Sequence, residues 1–188
     1  MAKFSLILVI ILTGLLILTH NMSKPFIGHH DWNGVYYANI ARNYLINGYL
    51  ATKLGQATST GFHPENYNFY THYPPLFTLL LSVDYRLFGI SEITTKALPI
   101  LFTILSLLTL YQIARQLKFS PLVSLSSLLI IFTPMLRYFG KMPSQEALIV
   151  FFTCLSVYSY LSHKTKLFYF SVIANGLTGW AGYFIYPY

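Results

Sequence analysis

Five carboxylates are all the acidic chemistry that these 188 residues carry: Asp31, Glu65, Asp84, Glu92 and Glu146. Asp31 sits in His29-His30-Asp31-Trp32-Asn33-Gly34, just before a pattern in which Tyr36, Ile40 and Tyr44 recur at four-residue steps with Tyr37, Ala41 and Leu45 beside them. That pattern predicts an amphipathic helix from Val35 to Ile46, lying at a membrane surface. At its start Asp31 is either an N-cap carboxylate, worth about 1 kcal/mol, or a base at the rim of a membrane-facing cavity. The two readings are compatible. Glu146 follows Lys141-Met142-Pro143-Ser144-Gln145 and opens an apolar run. A helix amino end favours an acid there, and Ser144 is placed to cap the same end. Asp84 and Arg86 are expected to pair or snorkel at an interface, Glu92 to belong to the turn Gly89-Ile90-Ser91, and Glu65 to be a solvated loop acid. His29, His30, His63 and His72 have no i,i+4 partner or other ligand spacing, so interfacial histidines are expected rather than metal ligands. The single cysteine, Cys154, excludes a disulfide scaffold. No phosphate-cradling Gly-rich loop or Ser/His/Asp constellation is present.

The elements that position these residues are membrane elements. Charged residues make up 9% of the chain and apolar ones 55%, where soluble domains carry roughly 25% charged residues. Mean hydropathy is +0.54. These values exclude a soluble globular domain and a disordered tail, and predict an all-α, polytopic helical membrane protein. The excess of 12 Lys+Arg over 5 Asp+Glu fits loop topology and anionic lipid contact better than nucleic acid, because no basic stripe is interleaved with aromatics. Phe4–Thr19 reads as an uncleaved anchor helix within residues 1–19, its amino end in the cytoplasm. Residues 20–92 form a polar external loop with juxtamembrane helices, and residues 93–188 a transmembrane bundle. Its crossings are expected at Thr94–Ala114, Phe119–Leu136, Ala147–Leu161 and Leu167–Tyr188, since a ~30 Å bilayer core needs about 20 helical residues. Pro74–Ile90 contains Asp84 and Arg86, which makes a crossing unfavourable. The basic loops Arg115–Lys118 and His163–Lys166 both fall inside only if Pro74–Ile90 stays on the outer side. Asp31 and Glu146 then share the external face; if Pro74–Ile90 crosses, they are split. The chain stops within an apolar run at Tyr188, which reads as a piece of a longer protein.

In order along the chain, several motifs resemble one family. Asp31-Trp32-Asn33-Gly34 with Tyr37-Ala38-Asn39-Ile40-Ala41-Arg42-Asn43-Tyr44-Leu45 and Gly48 resembles the first external loop of the GT-C superfamily. These are the polyprenyl-phosphate-sugar glycosyltransferases that include the dolichyl-phosphate-mannose-protein mannosyltransferases and the lipid A aminoarabinose transferases. Thr71-His72-Tyr73-Pro74-Pro75-Leu76 resembles the Pro-Pro-Leu motif that follows in that family. Leu87-Phe88-Gly89-Ile90-Ser91-Glu92 through Lys96-Ala97-Leu98-Pro99 resembles its next stretch. Tyr138-Phe139-Gly140-Lys141 with Glu146 resembles the turn carrying its second acid. Two positions depart from the pattern: Trp32 stands where many members have a second acid, and Tyr73 where some have Lys.

The resemblance implies the amino-terminal part of a GT-C-like fold with an external active site. The enzyme would be a hexosyl- or pentosyltransferase moving sugar, with inversion, from a dolichyl- or undecaprenyl-phosphate donor to a protein, lipid or glycan hydroxyl. Asp31 matches the catalytic base, which takes the acceptor's proton, and Glu146 orients the acceptor or holds cations beside it. The departing phosphate needs cationic or hydrogen-bonding partners, for which Arg42, His72, Tyr73, Lys96 and Lys141 are the candidates. No cofactor is implied, a divalent cation has no sequence support, and the expected location is a prokaryotic plasma membrane. The rival reading is a non-enzymatic lipid or sugar transporter. That reading expects ionisable residues or helix breaks at mid-bilayer, whereas here the acids gather at helix ends and loops and Pro134 alone favours the rival.

Overall fold

The computed structural model describes residues 2–28, 31–59 and 67–184, leaving aside the side chains of 2–5, 31, 182 and 184. His29, His30, His63, Glu65 and residues 185–188 lie outside it. Nearly all regular structure is helical. Helix α1 (Ala2–Thr19) is followed by α2 (Asp31–Asn47), a two-residue antiparallel pair of β1 (Gln56–Ala57) and β2 (Phe69–Tyr70), α3 (Leu76–Phe88) and α4 (Glu92–Gln116). Then come α5 (Pro121–Ser126), a 3₁₀ stretch (Ser127–Phe132), α6 (Pro134–Phe139), α7 (Glu146–Leu161), α8 (Thr165–Gly176) and α9 (Ala181–Phe184).

Among the described residues, α4 alone is long and apolar enough to cross a membrane by itself. Its 25 residues reach about 37 Å at ~1.5 Å per residue. The Ser91 hydroxyl caps it by accepting from the Thr94 amide. Glu92, expected in the preceding turn, is instead its first helical residue. Leu6–Thr19, Pro121–Phe132 and α7 are apolar but shorter. Helix α3 has 13 residues, about 20 Å of helix, which is too short to span. It buries Phe77, Leu81 and Tyr85 against the core and exposes Val83, Leu87 and Phe88. Arg86 is exposed and Asp84 half-buried; no ion pair joins them.

Two expected spans are broken. Phe119–Leu136 divides into α5, the 3₁₀ stretch and α6. The Ser124, Ser126 and Ser127 hydroxyls donate back to the carbonyls of Ser120, Val123 and Ser124, competing with the α-helical ladder. At the far end Thr133 caps a new helix beginning at Pro134, whose ring cannot continue the one before. Within the expected span Leu167–Tyr188, helix α8 stops at Gly176 and a short helix, α9, follows at Ala181. The Asn175 carbonyl then accepts from Thr178 and Gly179 in a turn before α9.

Helices α4 and α7 run parallel. Phe102 packs on Phe151 and Phe152, and one cavity follows Thr103 to Leu110 on α4 and Glu146 to Cys154 on α7. Helix α8 returns antiparallel to α7: Phe168 meets Tyr160, and the Asn175 amide donates to Thr153 Oγ1 at 3.0 Å. The basic segments Arg115–Lys118 and His163–Lys166 therefore lie at one end of the bundle. The loop before α2, the short sheet and the turn before α7 lie at the other. Two cores hold this together: Tyr37, Ile40, Ala41 and Tyr44 of α2 with Phe77, Leu81, Leu98, Leu148 and Phe152, and Ile10 and Leu18 of α1 with Ile100, Leu107, Leu128 and Ile131.

Candidate functional site

The amino ends of α2 and α7 meet at the loop-bearing end of the bundle. Asp31 is the first residue of α2. Two positions on, the Asn33 amide reaches Met142 Sδ at 3.8 Å in the turn before α7. One helical turn further, Tyr37 faces Tyr70 of β2 and Gln145 of the turn before α7. Burial first, then Tyr70 and the Glu146 carboxylate, hold the Tyr37 phenol far above its ordinary pKa. Burial is also the main cause of the rise at Tyr70, with Tyr73 and Glu146 adding to it. Both phenols are thus held neutral on the side of α2 that faces Glu146. The Phe26 ring packs against α2 at Gly34, where a Cβ would fall 2.4 Å from it unless the ring shifted.

Glu146 opens α7 and is exposed. Ser144 does not cap this helix: it is buried, with Oγ 3.5 Å from the Met142 carbonyl, and the N-cap residue, Gln145, contributes no side-chain cap. At this helix start the carboxylate meets the positive end of the α7 dipole and faces the phenols of Tyr37 and Tyr70. Below it a cavity of about 400 Å³ runs between α4, α6 and α7, lined by Leu107, Leu110, Leu136, Phe139, Ala147 and Val150. Glu146 is its one charged lining residue.

A second cavity of about 340 Å³ lies across the turn, lined by three lysines, Lys24, Lys96 and Lys141, with Gly28, Tyr138 and Met142. Lys96 is 8% exposed. Its ammonium donates to the carbonyls of Met22 (3.1 Å) and Lys24 (2.7 Å) and sits 4.6 Å from the centre of the Phe26 ring. Lys141 donates to the His20 carbonyl at 3.0 Å. Gly140 sets that lysine's position. A Cβ there would lie 2.4 Å from the Leu136 carbonyl, and its own carbonyl accepts from Thr103 Oγ1 at 2.8 Å.

The five expected donor-binding residues do not form one cluster. Lys96 and Lys141 share the lysine cavity. Arg42 lines another, with Glu92. His72 and Tyr73 pack edge to face beside Tyr70, and the Trp180 indole donates to the His72 carbonyl, tying this loop to the turn after α8. Sequence reasoning missed Lys24, Tyr37, Tyr70 and Gln145. Lys24 had a signal, as the first cation after the anchor helix. Tyr37 had its place in the helical pattern and in the loop motif, and Tyr70 had none beyond its aromatic character. Next to them Trp32 stacks on Tyr36 at 4.6 Å. Among the described residues no group of three or more His, Cys, Asp or Glu gathers.

A family model described as dolichyl-phosphate-mannose-protein mannosyltransferase matches residues 2–181. No curated protein and no solved structure matches.

Proposed function

The chain belongs to the dolichyl-phosphate-mannose-protein mannosyltransferase family, a family of membrane glycosyltransferases, and from that premise we propose that it moves a sugar, with inversion, from a polyprenyl-phosphate donor to an acceptor hydroxyl on the external face. One observation carries the reading: an apolar cavity and a three-lysine cavity lie on either side of one turn, 140–146. A polyprenyl phosphate has the matching halves, a hydrocarbon tail and an anionic head. The tail lies along the α4–α6–α7 cavity, and the phosphate faces Lys24, Lys96 and Lys141.

As the acceptor oxygen bonds to the anomeric carbon, the carbon–oxygen bond to phosphate breaks. The leaving phosphate gains a negative charge that the lysines stabilise most in the transition state. The acceptor's proton passes to Asp31. Glu146, with Tyr37 and Tyr70, orients the acceptor. Helices α1, α4 and α7 and the composite segments 121–139 and 165–184, each longer than α3, cross the bilayer of a prokaryotic plasma membrane. Arg115–Lys118 and His163–Lys166 lie on the cytoplasmic side by the positive-inside rule. The acceptor is a protein, lipid or glycan.

The test is the Asp31→Asn variant of the full chain in liposomes, supplied with a polyprenyl-phosphate sugar. Loss of a general base lowers turnover by roughly 10²–10⁴-fold, while insertion and donor binding persist. Turnover equal to wild type removes Asp31 from the mechanism.

A further inference from the structure

Outside the proposed donor site, a third cavity of about 340 Å³ opens between α2 and the corner joining α3 to α4. Most of its polar lining is already engaged. Asn39 donates to the Thr58 carbonyl, Ser91 bonds Thr94, and the hydroxyls of Tyr85 and Thr95 bond each other. Two lining groups differ: Arg42 and Glu92 line the same space, yet no ion pair closes between them within 4 Å. The Arg42 Nε is sealed from water and has no hydrogen-bond partner among the described residues. A sealed, unpartnered guanidinium nitrogen is unfavourable enough to require an explanation. A cation and an anion facing one cavity without meeting suit a ligand that carries both charges.

At Ser91 this cavity adjoins a crevice of about 550 Å³ between α3 and α4, lined mainly by Phe88, Ile93, Ala97, Leu98 and Leu101, with Asp84 as its acidic member. Phe88, Ile90, Ile93 and Leu101 are all exposed. A charged compartment that shares Ser91 with an apolar one open to the outside matches a lipid better than a soluble metabolite.

We propose that the Arg42–Glu92 cavity binds the head group of a phosphatidylethanolamine, its phosphate on Arg42 and its ammonium on Glu92, with an acyl chain in the α3–α4 crevice. The guanidinium offers the planar fork that matches phosphate oxygens. The carboxylate accepts from the ammonium N–H groups, which a phosphatidylglycerol head group lacks. This site is separate from the lysine cavity and stands whether or not the donor assignment does.

The test is native mass spectrometry of the full chain released from dodecyl maltoside, with palmitoyl-oleoyl phosphatidylethanolamine and phosphatidylglycerol at equal concentration. Occupancy is expected to favour phosphatidylethanolamine by about tenfold or more, the scale of one charge-assisted contact. Glu92→Gln brings the ratio close to one, Arg42→Gln empties the site of both lipids, and Arg42→Lys, which keeps the charge but loses the fork, recovers part of the binding, separating recognition from misfolding. Equal occupancy in the wild type, or an unchanged ratio in Glu92→Gln, overturns the proposal. Displacement of the lipid by equimolar O-phosphoethanolamine overturns the lipid as the ligand's source.

Discussion

Replacing Lys96 with Met removes one ammonium and leaves its alkyl stem. The ammonium makes two hydrogen bonds, at 3.1 and 2.7 Å, to the carbonyls of Met22 and Lys24 and lies 4.6 Å from the Phe26 ring centre. A hydrogen bond to a charged group contributes about 1.5–3 kcal/mol, and a partly desolvated cation–π contact about 1–2 kcal/mol. The sum is an upper bound, because Lys24 is exposed and water can rehydrate the carbonyls once the loop loosens. Met also keeps the buried stem in place. A net loss of roughly 3 kcal/mol remains, which is about 150-fold in the equilibrium for opening the 20–28 segment. Hydrogen exchange in nanodiscs reads this directly: amides of residues 20–28 exchange about 100-fold faster, while those of α7 keep the wild-type rate. The loop that closes the lysine cavity and leads into Asp31 is then open, and donor affinity falls with it. Unchanged exchange in residues 20–28 refutes the claim that Lys96 holds this loop.

Three further outcomes are expected. Lys141→Met removes one cation from the proposed phosphate site and lowers kcat/KM by about 10–100-fold in steady-state kinetics with a polyprenyl-phosphate sugar; an unchanged value places the phosphate elsewhere. Asn43 is buried and its amide donates to the carbonyls of Ala57 (2.7 Å) and Ser59 (2.8 Å). Asn43→Ala therefore destabilises by about 2–3 kcal/mol and Asn43→Asp by more, since a carboxylate would face two carbonyls, with thermal unfolding giving the order. Burial raises the Asp84 pKa, so folding favours the protonated acid, and the stability present below the ordinary carboxylate pKa declines as pH rises through the raised value. Asp84→Asn is accordingly more stable than wild type at pH 7 but not at pH 3, and equal stability at both pH values refutes the sign.

Family membership shows how far the ordered motifs could be read. No single one is specific, but Asp31-Trp32-Asn33-Gly34, Tyr73-Pro74-Pro75-Leu76 and Tyr138-Phe139-Gly140-Lys141 occur in the family's order. The surface helix was legible because its Tyr, Ile and Ala positions recur at helical spacing, and α2 indeed buries Tyr37, Ile40, Ala41 and Tyr44. The break of 119–136 was less legible. Hydropathy averages over apolar residues and does not register serine hydroxyls that bond back to the chain.

The lysine cavity shows where the sequence stops. Lys24, Lys96 and Lys141 belong to three separate segments, and nothing in their spacing joins them or separates them from Arg42. Composition and period fix which residues leave water and which helices form, because those depend on local spacing and transfer energy. Which charges face one another depends on how α1, α4 and the 140–146 turn pack together. Gly140 permits that approach, and the carbonyls of residues 20–24 hold the two lysines in place. The chemistry of the site was written in residue types, but its grouping was decided by packing.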